Sequence, residues 1–214
     1  MKRNQSGFTL IEIAIVLVII GLLLGGVLKG QELINSAKVK NLAGDFRNIP
    51  VMIYGYQDKY RALPGDDIAV VAHASGVLAT SPGTVGNGVI EGQWTSDTPT
   101  DESYLFWQHI RLAGLATGST TIGAPDYLPR NAVGGPIGIT NGLPANTPIA
   151  NLKGAYVICS GGILGKFAKQ LDITMDDGNT ATGSMMTTAG SGVGATAVAG
   201  APDDNTPYTV CMGI

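Results

Sequence analysis

The chain has 214 residues, room for a membrane segment and one globular domain but not for two large ones. Lys plus Arg number 13 against 16 Asp plus Glu, a formal charge of -3, which gives no hint of the basic face that a nucleic-acid partner would want. Charged residues make up only 14% of the chain and glycine contributes 31, a composition that suits an exported, surface-displayed protein better than a soluble cytoplasmic enzyme.

The chain opens "MKRNQSGFTLIEIAIVLVIIGLLLGGVLKGQELI". Phe8 to Leu28 carries a single charge, Glu12, and is as long as the ~20 residues a spanning helix needs. A secretory signal would have a shorter apolar core, about 7–15 residues, followed by a small-residue cleavage site. Lys2 and Arg3 should keep the short leader in the cytoplasm and send the rest across, although Lys29, Lys38 and Lys40 pull weakly the other way. An acid inside the apolar run is expensive, roughly 2.5–3.5 kcal/mol at a helix centre on the insertion scale, so Glu12 should have a partner.

"GFTLIE", behind a basic leader and ahead of an apolar helix, resembles the processing site of the type IV pilin-like family, which includes type IV pilins and the pseudopilins of type II secretion. The resemblance implies cleavage by a prepilin peptidase between Gly7 and Phe8, N-methylation of Phe8, and a role for Glu12 in filament assembly. In a filament of staggered subunits the Glu12 carboxylate of one chain would meet the new Phe8 ammonium of its neighbour in an apolar core and set the axial register. The implied partners are copies of the chain and related pilins, the peptidase, an inner-membrane assembly platform and the membrane itself. The implied location is the bacterial inner membrane, as a single-pass subunit with its head outside the cytoplasm, then an assembled pilus or pseudopilus. Many pilins carry a proline near the end of the apolar run, whereas this chain has Lys29 there and no proline before Pro50, which leaves pilin and pseudopilin both open.

Gly21 and Gly25, and again Gly26 and Gly30, have the G-x-x-x-G spacing that lets helices approach closely in lipid. Leu42, Phe46, Ile49, Ile53, Tyr56 and Tyr60 then recur at spacings of three and four, so the helix continues as an amphipathic one. Pro50 should kink it, and "ALPGDD" should end it at Leu63. The expected organisation is leader 1–7, membrane and filament-core helix 8–28, amphipathic helix 29–63 and globular head 64–214.

In the head, residues 74–100 read as loop with short strands near "GVIEGQW". "TPTDESYLFWQHIRLAGL" reads as a helix capped by Thr98, with Phe106, Ile110 and Ala113 on its buried stripe. "GPIGIT", "GAYVICS" and "PYTVCMG" read as strands, with "ILGKFAKQLDI" as a short helix between the last two. The expected fold is α+β: a long N-terminal helix packed on an antiparallel sheet. Cys159 and Cys211 fall on the last two strands, and in an extracytoplasmic domain they should form a disulfide; in a cytoplasmic one they would be buried thiols. Residues 187–202, "TTAGSGVGATAVAGAP", are almost free of charge and read as a mobile or surface-draped loop.

Candidate chemistry in the head is sparse. His73 and His109 lack metal spacing and read as exposed or structural, and no nucleophile–base arrangement can be nominated, so no enzymatic activity is expected. "SGGILGKF" and "GTVGNG" fail as phosphate loops, the first on sequence and the second for want of a strand–helix context. "LDITMDDGN" places Asp172, Asp176, Asp177 and Asn179 within eight residues. It reads as a solvated turn or, in the alternative, as a calcium site of hard oxygen ligands, which some pseudopilins have; it is not an EF-hand. The readings carried forward are a pilus-type filament subunit, a pseudopilin and a membrane-anchored periplasmic protein that does not assemble.

Overall fold

The computed structural model describes residues 9–214, which fall into two compact units, one reaching to Ala37 and the other Lys38–Ile214. The first helix, α1 (Leu10–Tyr60), supplies most of the first unit and continues into the second. In the first unit its apolar side chains from Leu10 to Leu28 all face outward, with no core of their own to join.

In the second unit α1 buries Val39, Leu42, Ala43, Phe46, Ile49, Ile53 and Tyr56, the three-and-four spacing of one helix face. The helix runs through Pro50 without interruption: the ring removes one backbone bond, but Ile49 and Ile53 on either side belong to the same apolar core. It ends at Tyr60, three residues before the expected Leu63. Arg61 adopts a left-handed φ of 56° while its N–H donates to Gln57 O at 2.8 Å, and Pro64 disfavours a helical Leu63.

A short helix α2 (Val70–Ala74), not foreseen from sequence, precedes α3 (Glu102–Leu112). The cap of α3 is Asp101 rather than Thr98, and Phe106, Ile110 and Ala113 are buried as expected. The burial is wider than one stripe, since every residue from Glu102 to Arg111 is buried.

The strands β1 (Ile137–Asn141), β2 (Tyr156–Leu164), β3 (Met185–Thr188) and β4 (Pro207–Gly213) form one antiparallel sheet in the order β1-β2-β4-β3, with α4 (Gly165–Met175) following β2 directly. Register explains why the strands read as continuous apolar runs. The row Ile139–Ile158–Met212–Met185 joins the core that contains the distal part of α1, while the next row, Gly138–Cys159–Cys211–Met186, lies on the opposite face. There Cys159, Cys211 and Met186 cluster with Trp94, Ile149 and Leu152, so both faces are covered. Gly138 is required because a Cβ would collide with the Trp94 carbonyl. Gly162, at φ 70°, sits where the β2–β4 register shifts between Ser160 and Ile163.

Two further expectations fail. "GVIEGQW" forms no strand, because its backbone is held by carboxylates instead of a ladder: Glu102 accepts the Glu91 N–H at 2.7 Å. Residues 187–202 are not a loose loop throughout. Thr187 and Thr188 close β3, buried, and Ala195 exchanges backbone bonds with Pro148 and Ala150 at 2.9 Å. Trp94 Nε1–H also donates to Ser191 O at 3.1 Å. Backbone hydrogen bonds, which composition does not reveal, pin this low-complexity stretch.

Candidate functional site

Gly7 and Phe8, the expected cleavage and methylation positions, lie outside the described residues. Glu12 lies just within them and has a partner. Its Oε2 accepts the Thr9 N–H at 2.8 Å and the Thr9 Oγ1–H at 2.7 Å, while the Glu12 N–H donates to Thr9 Oγ1 at 3.3 Å. This is a reciprocal capping box of the T-x-x-E kind, satisfying amide groups that a helix start leaves free. In lipid, where water cannot replace such bonds, a satisfied start matters more than in solution. The signal, Thr9-x-x-Glu12, is legible in the sequence beside the acid's other reading.

Beyond the cap, α1 is long and apolar enough to cross a membrane, and none of that apolar window is buried within the chain. Gly21, Gly25, Gly26 and Gly30 have nothing within 4 Å of where a Cβ would stand, which leaves their flat surfaces open to a neighbouring helix. Lys29 pairs with Glu32 at 2.7 Å on the exposed surface at the end of the run.

In the head, Cys159 and Cys211 are cross-strand partners and form a disulfide between β2 and β4, with Cα atoms 4.1 Å apart. Both residues have no exposed surface.

The acidic stretch after α4 converges. Asp172, Asp176 and Asp177 each present a carboxylate oxygen within 4.8 Å of the others. Asp176 accepts Ser184 Oγ–H at 3.1 Å and Met185 N–H at 2.8 Å, and Asp177 accepts Thr182 Oγ1–H at 2.7 Å and Asn179 N–H at 2.8 Å. Asp172 differs: it has no exposed surface, and neither of its carboxylate oxygens has a hydrogen-bond partner. Burial, then the neighbouring Asp177 and Asp176 charges, push its carboxyl up to about 6; the Gly178 and Asn179 amides lie near enough to pull it down but do not reach hydrogen-bond geometry. Asn179, the fourth residue nominated from sequence, accepts the Ala181 N–H on Oδ1 at 3.2 Å and tightens the turn. Nearby Asp203 caps Asn205 and Thr206, and Asp204 pairs with Lys169 at 2.8 Å.

The remaining motifs are structural. His109, fully buried, accepts the Gly65 N–H on Nδ1 at 2.9 Å and donates from Nε2 to Val77 O at 2.8 Å, which fixes it as a neutral imidazole. Burial holds it below the usual histidine range. His73 meets Asp67 at 2.7 Å, and Asp67 also accepts Tyr56 O–H at 2.7 Å. Burial would raise Asp67, but bonds from His73, Tyr56 and the Ala69 amide outweigh it and hold the carboxyl low. The "GTVGNG" loop does cradle an anion, and that anion is internal: Asp66 accepts the amides of Gly86, Asn87 and Gly88. "SGGILGKF" passes straight from β2 into α4.

A search of curated proteins found no match to this chain. Residues 2–28 match a family model described as the prokaryotic N-terminal methylation motif. That span takes in the basic residues of the leader, Gly7, Phe8, Glu12 and the whole apolar run to Leu28. The helix apolar enough for membrane anchoring and the α+β head with its disulfide accord with it. The chain therefore carries, at its N-terminus, the prepilin-type signature of type IV pilins and pseudopilins.

Proposed function

We propose that this chain is a structural subunit of a type IV pilus-like filament, cleaved after Gly7, N-methylated on Phe8 and polymerised through α1. The match over residues 2–28 carries the reading, and the outward-facing apolar segment supports it. The helix has no work for those side chains within its own chain, so lipid first and neighbouring helices later are their natural solvents. Its partners are then the prepilin peptidase, an inner-membrane assembly platform and further copies of the chain. Intact-mass measurement of the mature protein tests it: residues 1–7 should be missing and one methyl should be added. A mature form that retains Lys2 and Arg3 beside an active peptidase would overturn the reading. The absence of any proline before Pro50 leaves a second reading open, a pseudopilin of type II secretion. Deleting the gene would then block secretion while leaving surface fibres in place.

The head, we further propose, holds a calcium ion at Asp172, Asp176 and Asp177. The carrying observation is Asp172, fully buried with both oxygens unpartnered, beside two more carboxylates. Calcium takes six to eight oxygen ligands, so backbone carbonyls or water would complete the shell. Calorimetric titration with calcium should give one site per chain and raise the thermal midpoint, and Asp172→Asn should abolish both effects. Equal binding by that variant would remove the proposal.

A further inference from the structure

A second group of acids lies away from the Asp172 cluster, where the 83–92 loop meets the start of α3. Asp66, only 4% exposed, gathers the amides of Gly86, Asn87 and Gly88. Glu102, with no exposed surface, accepts the Glu91 N–H through Oε2 at 2.7 Å. The two carboxyl groups thus fasten opposite ends of one loop. Glu102 Oε1 is buried with no N–H or O–H donor to serve it, and the Asp66 carboxyl is close enough for the two acids to interact. Glu91 Oε2 is buried and unserved as well.

Among the described residues, none that acts on this pair supplies a neutralising charge. Tyr156 on β2 faces Asp66 with a phenol, and Glu91 faces Glu102 with another acid. Arg61 lines the open cleft beside Asp66, but its side chain is 84% exposed and its nearest ionic contact is Asp58 at 3.8 Å. Two ionised carboxylates side by side without a cation are unfavourable in a buried setting, and one of them should stay protonated. Asp66 already meets three amide donors and Glu102 Oε1 meets none, so the proton belongs on Glu102.

We propose that Glu102 carries a proton at neutral pH and donates it from Oε1 to the Asp66 carboxylate, so that a shared proton latches the 83–92 loop to α3. The orphan acceptor becomes a donor, and both ends of the loop are tied to one carboxyl pair. Burial, with Asp66 and Glu91 adding to it, pushes Glu102 up to about 8. An opening that exposes Glu102 must release that proton. Opening should therefore become about tenfold more frequent per pH unit between roughly pH 5 and 8, then level off.

Two measurements on the full-length protein in detergent micelles test the latch. In a carbon-13 titration of glutamate side chains, Glu102 Cδ should show a midpoint near 8. Hydrogen exchange at the Gly86, Gly88 and Glu91 amides, corrected for its intrinsic pH dependence, should lose protection about tenfold per pH unit up to that midpoint. Glu102→Gln, which donates an N–H at every pH, should make protection independent of pH; if that variant misfolds, Asp66→Asn, which removes the neighbouring charge, should lower the Glu102 midpoint and move the levelling-off of protection down with it. A Glu102 midpoint in the ordinary carboxyl range, near ~4, overturns the proposal. So does loop protection in the wild-type chain that is flat from pH 5 to 8.

Discussion

His109 shows what a single residue contributes to the head. Its ring is locked neutral between the Gly65 amide and the Val77 carbonyl, and it stacks on Tyr56 with ring centroids 6.3 Å apart. Because burial depresses its folded pKa, the unfolded chain binds more protons in mild acid than the folded one does. The stability it supports is complete above the unfolded histidine value of about 6.5 and is lost as pH falls toward the folded value. Asp67, also held low, acts in the same direction at lower pH. The raised carboxyls Glu102 and Asp172 act the opposite way, so the His109 contribution is read by difference: as pH falls below about 6.5, the wild-type thermal midpoint should drop relative to that of His109→Gln, which keeps a donor and an acceptor but does not titrate. An unchanged slope in the variant would show that His109 is not the group responsible. No sequence pattern distinguishes this buried imidazole from a surface one; the Gly65 and Val77 partners come from remote segments.

Among the elements, β2 and β4 depend most on a covalent tie. The strands pair through Cys159 and Cys211 on the face covered by Trp94, Ile149 and Leu152. The disulfide closes a loop spanning 52 positions, which in the chain-entropy model stabilises the fold by about 4 kcal/mol. Replacing both cysteines by alanine should lower the free energy of chemical unfolding by roughly that amount while leaving the strand register intact, since the row Ile139–Ile158–Met212–Met185 still packs on α1. Thiol labelling of the denatured, non-reduced protein should find neither cysteine free. The strands β1, β2 and β4 were legible as apolar runs, and β4 has the residues expected, Pro207–Gly213. β3 was not legible, because Met185–Thr188 is four residues long and owes its pairing to β4 rather than to its own propensity.

For the whole molecule, if it assembles as proposed, the deciding group should be Glu12. In the single chain its carboxylate closes the capping box with Thr9. Assembly would exchange part of that role for a neighbour's Phe8 ammonium. Glu12→Gln separates the two functions, since glutamine serves the capping box equally well but carries no charge. The variant should insert, be cleaved after Gly7 and fold its head, yet fail to build filaments, because an unpaired ammonium buried at each subunit costs roughly 3–5 kcal/mol. Abundant fibres of the Gln variant in electron micrographs would refute the pairing. What the sequence by itself determined is local: the "GFTLIE" signature, the apolar run to Leu28, the amphipathic spacing from Leu42 to Tyr56 and the cysteines on two strands. Each depends on neighbours a few residues apart or on a strand's own pattern, so it can be read along the chain. Only the tertiary structure decided that Asp66 and Glu102 grip one loop, that Trp94 lies over Gly138, and that backbone bonds pin residues 187–202. Those contacts join segments tens of residues apart, and their energies come from burial and hydrogen-bond partners that no local pattern encodes.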